Sequence, residues 1–79
     1  MEGYRGRIWK NIYPELQRYM EREHYSYDRL QLDLYINEEQ ARNKLRGRTQ
    51  FTRLEQERMA EITGIPRKWL FRREEEVSA

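Results

Sequence analysis

Gln40 and Asn43 carry side-chain amides within a stretch whose other polar groups are mostly cations: Arg42, Lys44, Arg46 and Arg48. An amide can pair with adenine through two hydrogen bonds, a glutamate such as Glu39 can accept from cytosine N4, and a cation meets phosphate. Together these are the groups that read and hold duplex DNA, if one exposed face carries them. The acids allow a second reading. Glu38 and Glu39 repel phosphate, and they are also what the first turn of any helix prefers, because the helix dipole favours negative charge there. The cations allow one too, since most charge runs are simply solvated faces. Here the run contains no acid: residues 40–54 hold Arg42, Lys44, Arg46, Arg48 and Arg53 and neither Asp nor Glu. Residues 13–39 are the reverse, with seven acids against three bases. The net charge of +2 hides this asymmetry, which says more about a partner than the total does.

The element that must position these groups is short and marked at both ends. Asn37 is a good N-cap, with Gln40 three residues on, a variant of the capping box. Gly47 can adopt the left-handed conformation that closes a helix. The spacing predicts a helix over 38–46, with Ala41 and Leu45 inward and the rest outward. So little apolar surface cannot hold a two-turn helix alone, so neighbours must hold it.

Apolar residues elsewhere recur at three and four, which predicts an all-α chain of five helices. The first runs from Pro14 to about His24, with Leu16, Tyr19, Met20 and Glu23 on one stripe. The second covers about 27–34, capped by Ser26 and buried through Leu30 and Leu34. The third is 38–46. The fourth opens with the capping box Thr52-Arg53-Leu54-Glu55, ends at Gly64, and is expected to turn Leu54, Met59 and Ile62 inward. The fifth is a turn or two after Pro66 carrying Trp69, Leu70 and Phe71. Residues 1–12 form an arm or docking segment, in which Ile8, Trp9 and Ile12 are apolar enough to dock. Residues 13–73 form the domain, and the acidic tail 74–79 is expected to fray.

Five short helices with a tight connection between the second and third resemble the helix-turn-helix domain of phage repressor and Cro type. Leu30 precedes the turn, Ile36 lies within it, and Asn37 to Leu45 occupy the recognition-helix position. Lys44-Leu45-Arg46-Gly47-Arg48-Thr49-Gln50-Phe51-Thr52 resembles the K-L-x-G-K-T-x-F-T run after that helix in many small phage-encoded members. Ala60, Gly64-Ile65 and Trp69-Leu70-Phe71 resemble the closing A…L-G-V…y-L-F. The resemblance covers about residues 14–71 and implies a compact repressor-like domain. It also implies a transcriptional regulator of phage or mobile-element origin that inserts helix 38–46 into the major groove of operator DNA as a homodimer. Glu39, Gln40 and Asn43 become candidate base contacts. Ser26, Tyr27, Arg42, Lys44, Arg46, Arg48 and Arg53 become candidate phosphate contacts, and Trp69 and Phe71 a candidate dimer interface. Bland readings stand beside several of these. Ser26 can cap and do nothing else, Tyr27 can simply pack, and Lys44 can lie beside the core and pair with an acid of the first helix. Two residues depart from the family. Gln31 stands where a small residue is usual, and Tyr35 where glycine with positive φ is usual. An aromatic side chain is costly there, so the pair predicts either a turn built differently or helices set further apart.

Other classes find little support. Cysteine is absent, which excludes disulfides and thiolate metal sites and fits a reducing cytoplasm. The single histidine, His24, has no ligand set or catalytic partners at useful spacing, so no metal, cofactor, small-molecule substrate or enzyme activity is expected. No apolar run approaches the roughly 20 residues of a membrane span. The rival reading is a helical protein–protein interaction module that has lost DNA binding and grips a partner through Trp69, Leu70 and Phe71. Glu38, Glu39 and Tyr35 favour it; the basic 42–53 stretch disfavours it. Arg5, Gly6 and Arg7 allow a minor-groove arm or simple disorder.

Overall fold

The computed structural model describes residues 10–78, with side chains through Glu76. Ile8, Trp9 and the Arg5–Arg7 arm lie outside the described residues. Six helices follow in order: α1 (Pro14–Arg22), α2 (Tyr27–Leu34), α3 (Glu38–Leu45), α4 (Arg53–Thr63), α5 (Arg67–Leu70) and α6 (Glu74–Ser78). There is no strand among the described residues. The all-α expectation holds; the helix count is six instead of five.

The helices begin where the sequence marks them. Asn11 Oδ1 accepts the Tyr13 backbone N–H at 2.9 Å, and the chain enters α1 through Pro14. Ser26 Oγ accepts the Arg29 N–H at 3.0 Å. Asn37–Gln40 and Thr52–Glu55 are reciprocal capping boxes, in which each pair satisfies two N–H groups left without helical partners.

The endings are more unusual. Three helices close with the paired hydrogen bonds, or the longer of them, that a left-handed residue permits. After α3 that residue is Gly47, at φ 85°: the Arg48 N–H reaches Asn43 O at 2.9 Å and the Gly47 N–H reaches Lys44 O at 3.2 Å. After α1 it is His24, at φ 55°, with Tyr25 N–H on Met20 O at 2.9 Å. After α2 it is Tyr35, at φ 59°, with Ile36 N–H on Gln31 O at 3.0 Å. The expectation that Tyr35 forces a different turn is therefore corrected. An L-residue costs about 1–2 kcal/mol in this region. The helix-closing hydrogen bonds offset part of that, as does the Arg58 guanidinium lying 5.3 Å from the centre of the Tyr35 ring. Gln31 is accommodated by folding back along its own helix, where Nε2 donates to Tyr27 O at 3.2 Å.

Leu16, Met20, Leu30, Leu34, Ala41, Leu45 and Met59 form the aliphatic core as the helical spacing predicts, and Leu70 joins them. Tyr13, Phe51 and Phe71 add an aromatic cluster with ring centres 4.9–5.6 Å apart. Two expectations for α4 are corrected. Leu54 is 67% exposed and Ile62 is 38% exposed, so Met59 alone is fully buried there. With one anchor every eleven residues, α4 packs through a narrow line of contact and not through a broad stripe. Glu23 of the α1 stripe is also exposed, because the helix ends at Arg22.

Both ends of the domain meet at Ile12. Its N–H donates to Leu45 O at 2.9 Å, and its carbonyl accepts from Glu74 N at 2.7 Å. The first bond satisfies a carbonyl orphaned at the end of α3. The second ties down a tail expected to fray; it forms a helical turn, and Glu76 Oε1 accepts the Arg73 N–H at 2.8 Å.

Candidate nucleic-acid interface

α2 and α3 are eight residues each, joined by three. Leu30, Leu34, Ala41 and Leu45 hold them to the core, which leaves the opposite side of α3 outward. Spacing places Glu39, Asn43 and Arg46 on that outer side, four and three residues apart, with Gln40 beside them. Glu39, Gln40 and Arg46 are exposed, and Asn43 is partly so. Gln40 Oε1 is engaged with the Asn37 N–H at 2.9 Å, which fixes the side chain and leaves Nε2 as its outward donor. The Asn43 side chain makes no hydrogen bond among the described residues. The four residues are thus one polar face on a capped helix whose C-terminus Ile12 and Gly47 hold in place.

The cations divide by what they already touch. Arg42 meets Glu38 at 3.4 Å on one face of α3. Arg53 meets Glu57 at 3.0 Å; both ends are well exposed, and such a pair is worth about 0–1 kcal/mol, so phosphate can exchange for it. Lys44 is different. Its Nζ lies 3.0 Å from Glu55 and 3.2 Å from Gln50 O, with only 12% of the side chain exposed. It is turned inward and committed to an acid of α4, where the bland sequence reading had an acid of the first helix. Arg46 and Arg48 are exposed and have no acid partner among the described residues.

At the start of α2, Ser26 is spent as an acceptor on its cap and keeps a hydroxyl proton to donate. Tyr27 is half-buried and packs on the core, and burial pushes its hydroxyl above the usual tyrosine range, with Glu21 adding to the shift. Trp69 is 52% exposed with the Arg72 guanidinium 4.4 Å from its ring centre. Phe71 instead belongs to the aromatic cluster, 5.5 Å from Tyr13 and 4.9 Å from Phe51. Of the two candidate interface aromatics, Trp69 is the one presented outward.

The fold also gathers a second basic set. Arg67, Lys68, Arg72 and Arg73 line one cleft beside Phe51 and Phe71. The signal was present as the charges flanking Trp69-Leu70-Phe71, but only the cleft brings them together with Gln50 and Phe51 from the loop after α3.

Among the described residues there is no cluster of His, Asp or Glu able to hold a metal ion, and no helix is long and apolar enough to cross a membrane. Comparison with known proteins finds no match: no family model, no curated protein and no solved structure aligns with this chain.

Proposed function

We propose that this chain is a sequence-specific DNA-binding regulator of helix-turn-helix type that lays α3 in the major groove. The observation that carries the reading is the outer face of α3. Glu39, Gln40, Asn43 and Arg46 stand there together, opposite Ala41 and Leu45, with the unpaired Arg48 one turn on. Gln40 Nε2 and the Asn43 amide supply donors and an acceptor for base edges. Arg46 and Arg48 supply phosphate contacts, with Arg42 and Arg53 as exchangeable additions. Ser26 and Tyr27, at the start of α2, are further backbone contacts in this reading. Lys44 is left out of the phosphate set, because leaving Glu55 would strand a carboxylate that is only 15% exposed. A single eight-residue helix reads too few bases for useful discrimination, so the regulator acts as a homodimer with Trp69 at its interface. A phage or mobile-element origin and a cytoplasmic site of action accompany this proposal.

One observation favours an interaction module instead. Leu32 is 72% exposed and Tyr35, against which Arg58 lies, is 81% exposed. Exposed apolar residues of this size suit a protein partner.

Binding to mixed-sequence duplex DNA over a salt series separates the two. The DNA reading expects affinity that falls log-linearly with salt. Replacing Arg46 and Arg48 with alanine should flatten the slope by about 2. An absence of binding at low salt, or an unchanged slope in the double variant, rejects the DNA reading in favour of the module.

A further inference from the structure

The cleft beside α5 occupies about 600 Å³, within the roughly 300–1,000 Å³ that small-ligand pockets span. Four of its lining residues are cationic, Arg67, Lys68, Arg72 and Arg73, and one, Glu76, is acidic. Most of the described cations outside the cleft are ion-paired, with Arg46, Arg48 and Arg58 the exceptions. Arg18, Arg22, Arg29, Arg42, Lys44 and Arg53 each have a carboxylate within 2.8–3.4 Å. None of the four in the cleft has an ion pair among the described residues. Arg67 donates to Gln56 Oε1 at 3.4 Å, Arg72 lies on Trp69, Arg73 reaches the Tyr13 hydroxyl, and Lys68 is exposed. Glu76, which accepts the Arg73 N–H at 2.8 Å, offsets one of the four positive charges and leaves the lining with an excess of three. Like charges converging on one concavity repel, and low-dielectric walls strengthen that repulsion. Here Phe51, Tyr13 and Phe71 are the walls. Such a cluster is relieved by a bound anion of matching charge.

We propose that this cleft is a binding site for a small phosphoryl-bearing anion with at least two negative charges. Phosphate fits because guanidinium groups donate to its oxygens in paired, charge-assisted bonds. Gln50 adds an exposed amide at the same rim, while the Gln56 amide is held between Phe51 O and Arg67. Phe71, half-buried, is the wall residue with surface left for the body of such a ligand. A free anion is favoured over the backbone of a duplex because the cationic residues surround a concavity. Arg46 and Arg48, by contrast, lie along an exposed edge. The site does not depend on α3 reading DNA.

Calorimetric titration of the full chain with inorganic pyrophosphate, at low ionic strength, tests this. One saturable site is expected. Lys68→Ala combined with Arg72→Ala should weaken it about tenfold or more, since two charge-assisted contacts are lost. Arg46→Ala combined with Arg48→Ala should change it less than about twofold. A second readout does not depend on those variants folding identically. In a Trp9→Phe background, pyrophosphate should change Trp69 emission by drawing Arg72 off the ring. No heat and no emission change at millimolar pyrophosphate overturns the proposal. Equal weakening by both double variants overturns it as well, reducing the cleft to general positive charge. Displacement of pyrophosphate by an equimolar hairpin duplex overturns the free-anion assignment and gives the cleft to the DNA backbone.

Discussion

Replacing Gly47 with alanine separates the two things this glycine does. It sits at φ 85°, where an L-residue costs about 1–2 kcal/mol. Alanine also restricts the unfolded chain, which returns about 0.4–1 kcal/mol. A Cβ at this position would lie 2.7 Å from Ile12 Cδ1. Ile12 is buried, so its side chain must leave its rotamer by some tens of degrees, at about 0.5–1.5 kcal/mol. Together these give a loss of about 1–2 kcal/mol. Gly64 is the internal control. It has φ 75° and nothing within 4 Å of its added Cβ, so Gly64→Ala carries the backbone cost alone. The difference between the two variants should be about 1 kcal/mol, read as about 4–8 °C in Tm for a domain of this size. Thermal and urea unfolding of both variants is the assay. Ile12 also holds the last carbonyl of α3, so Gly47→Ala, and not Gly64→Ala, should weaken DNA binding in parallel. Equal melting temperatures for the two variants would refute the role given to the Ile12 contact. A Gly47→Ala protein as stable as the parent would refute the backbone argument itself.

Lys44→Met should lower stability by about 1–3 kcal/mol in chemical denaturation, because it leaves Glu55 unpaired in a half-dry site, yet the salt dependence of DNA binding should stay as it was; a shallower slope would put Lys44 back among the phosphate contacts. Burial raises the Tyr25 hydroxyl well above its ordinary value, with the hydrogen bond to Asp33 adding to the shift. The folded state therefore keeps this proton where the unfolded chain loses it, so stability should be flat below about pH 10 and fall above it. Tyr25→Phe should remove the Tyr25 share of that alkaline loss in pH-resolved unfolding, while Tyr13 and Tyr27, also raised by burial, keep the rest; an unchanged profile would assign the loss elsewhere. Trp69→Ser should shift sedimentation toward monomer while leaving the circular dichroism intact, because Trp69, unlike Phe71, is outside the core; a dimer unchanged by the substitution moves the interface away from α5.

Local chemistry fixed the helix starts, since Ser26, Asn37 and Thr52 each cap with atoms at most three residues away. It also fixed the core positions of α2 and α3, because Leu30, Leu34, Ala41 and Leu45 obey a four-residue spacing that needs no tertiary knowledge. Gly47 was legible for the same reason. Other features depended on atoms distant in sequence. Leu54 and Ile62 lie on an apolar pattern, but how far neighbours cover it depends on where α4 lands; Ile62 is covered only in part and Leu54 is left mostly open. Lys44 belongs to a basic run by sequence and to Glu55 by contact, because the loop between them brings the first turn of α4 to the end of α3. Tyr35 was read as an obstacle from its own backbone preference, while Arg58, twenty-three residues on, is what stacks against its ring. The tail was read as loose because it is a terminus, and the backbone bond from Glu74 to Ile12, with the Glu74–Lys10 ion pair at 3.3 Å, holds its start. The cleft is the clearest case. Its cations adjoin one another in sequence, but the loop after α3 and the first residues of the domain supply its walls, so only the folded chain makes it a concavity.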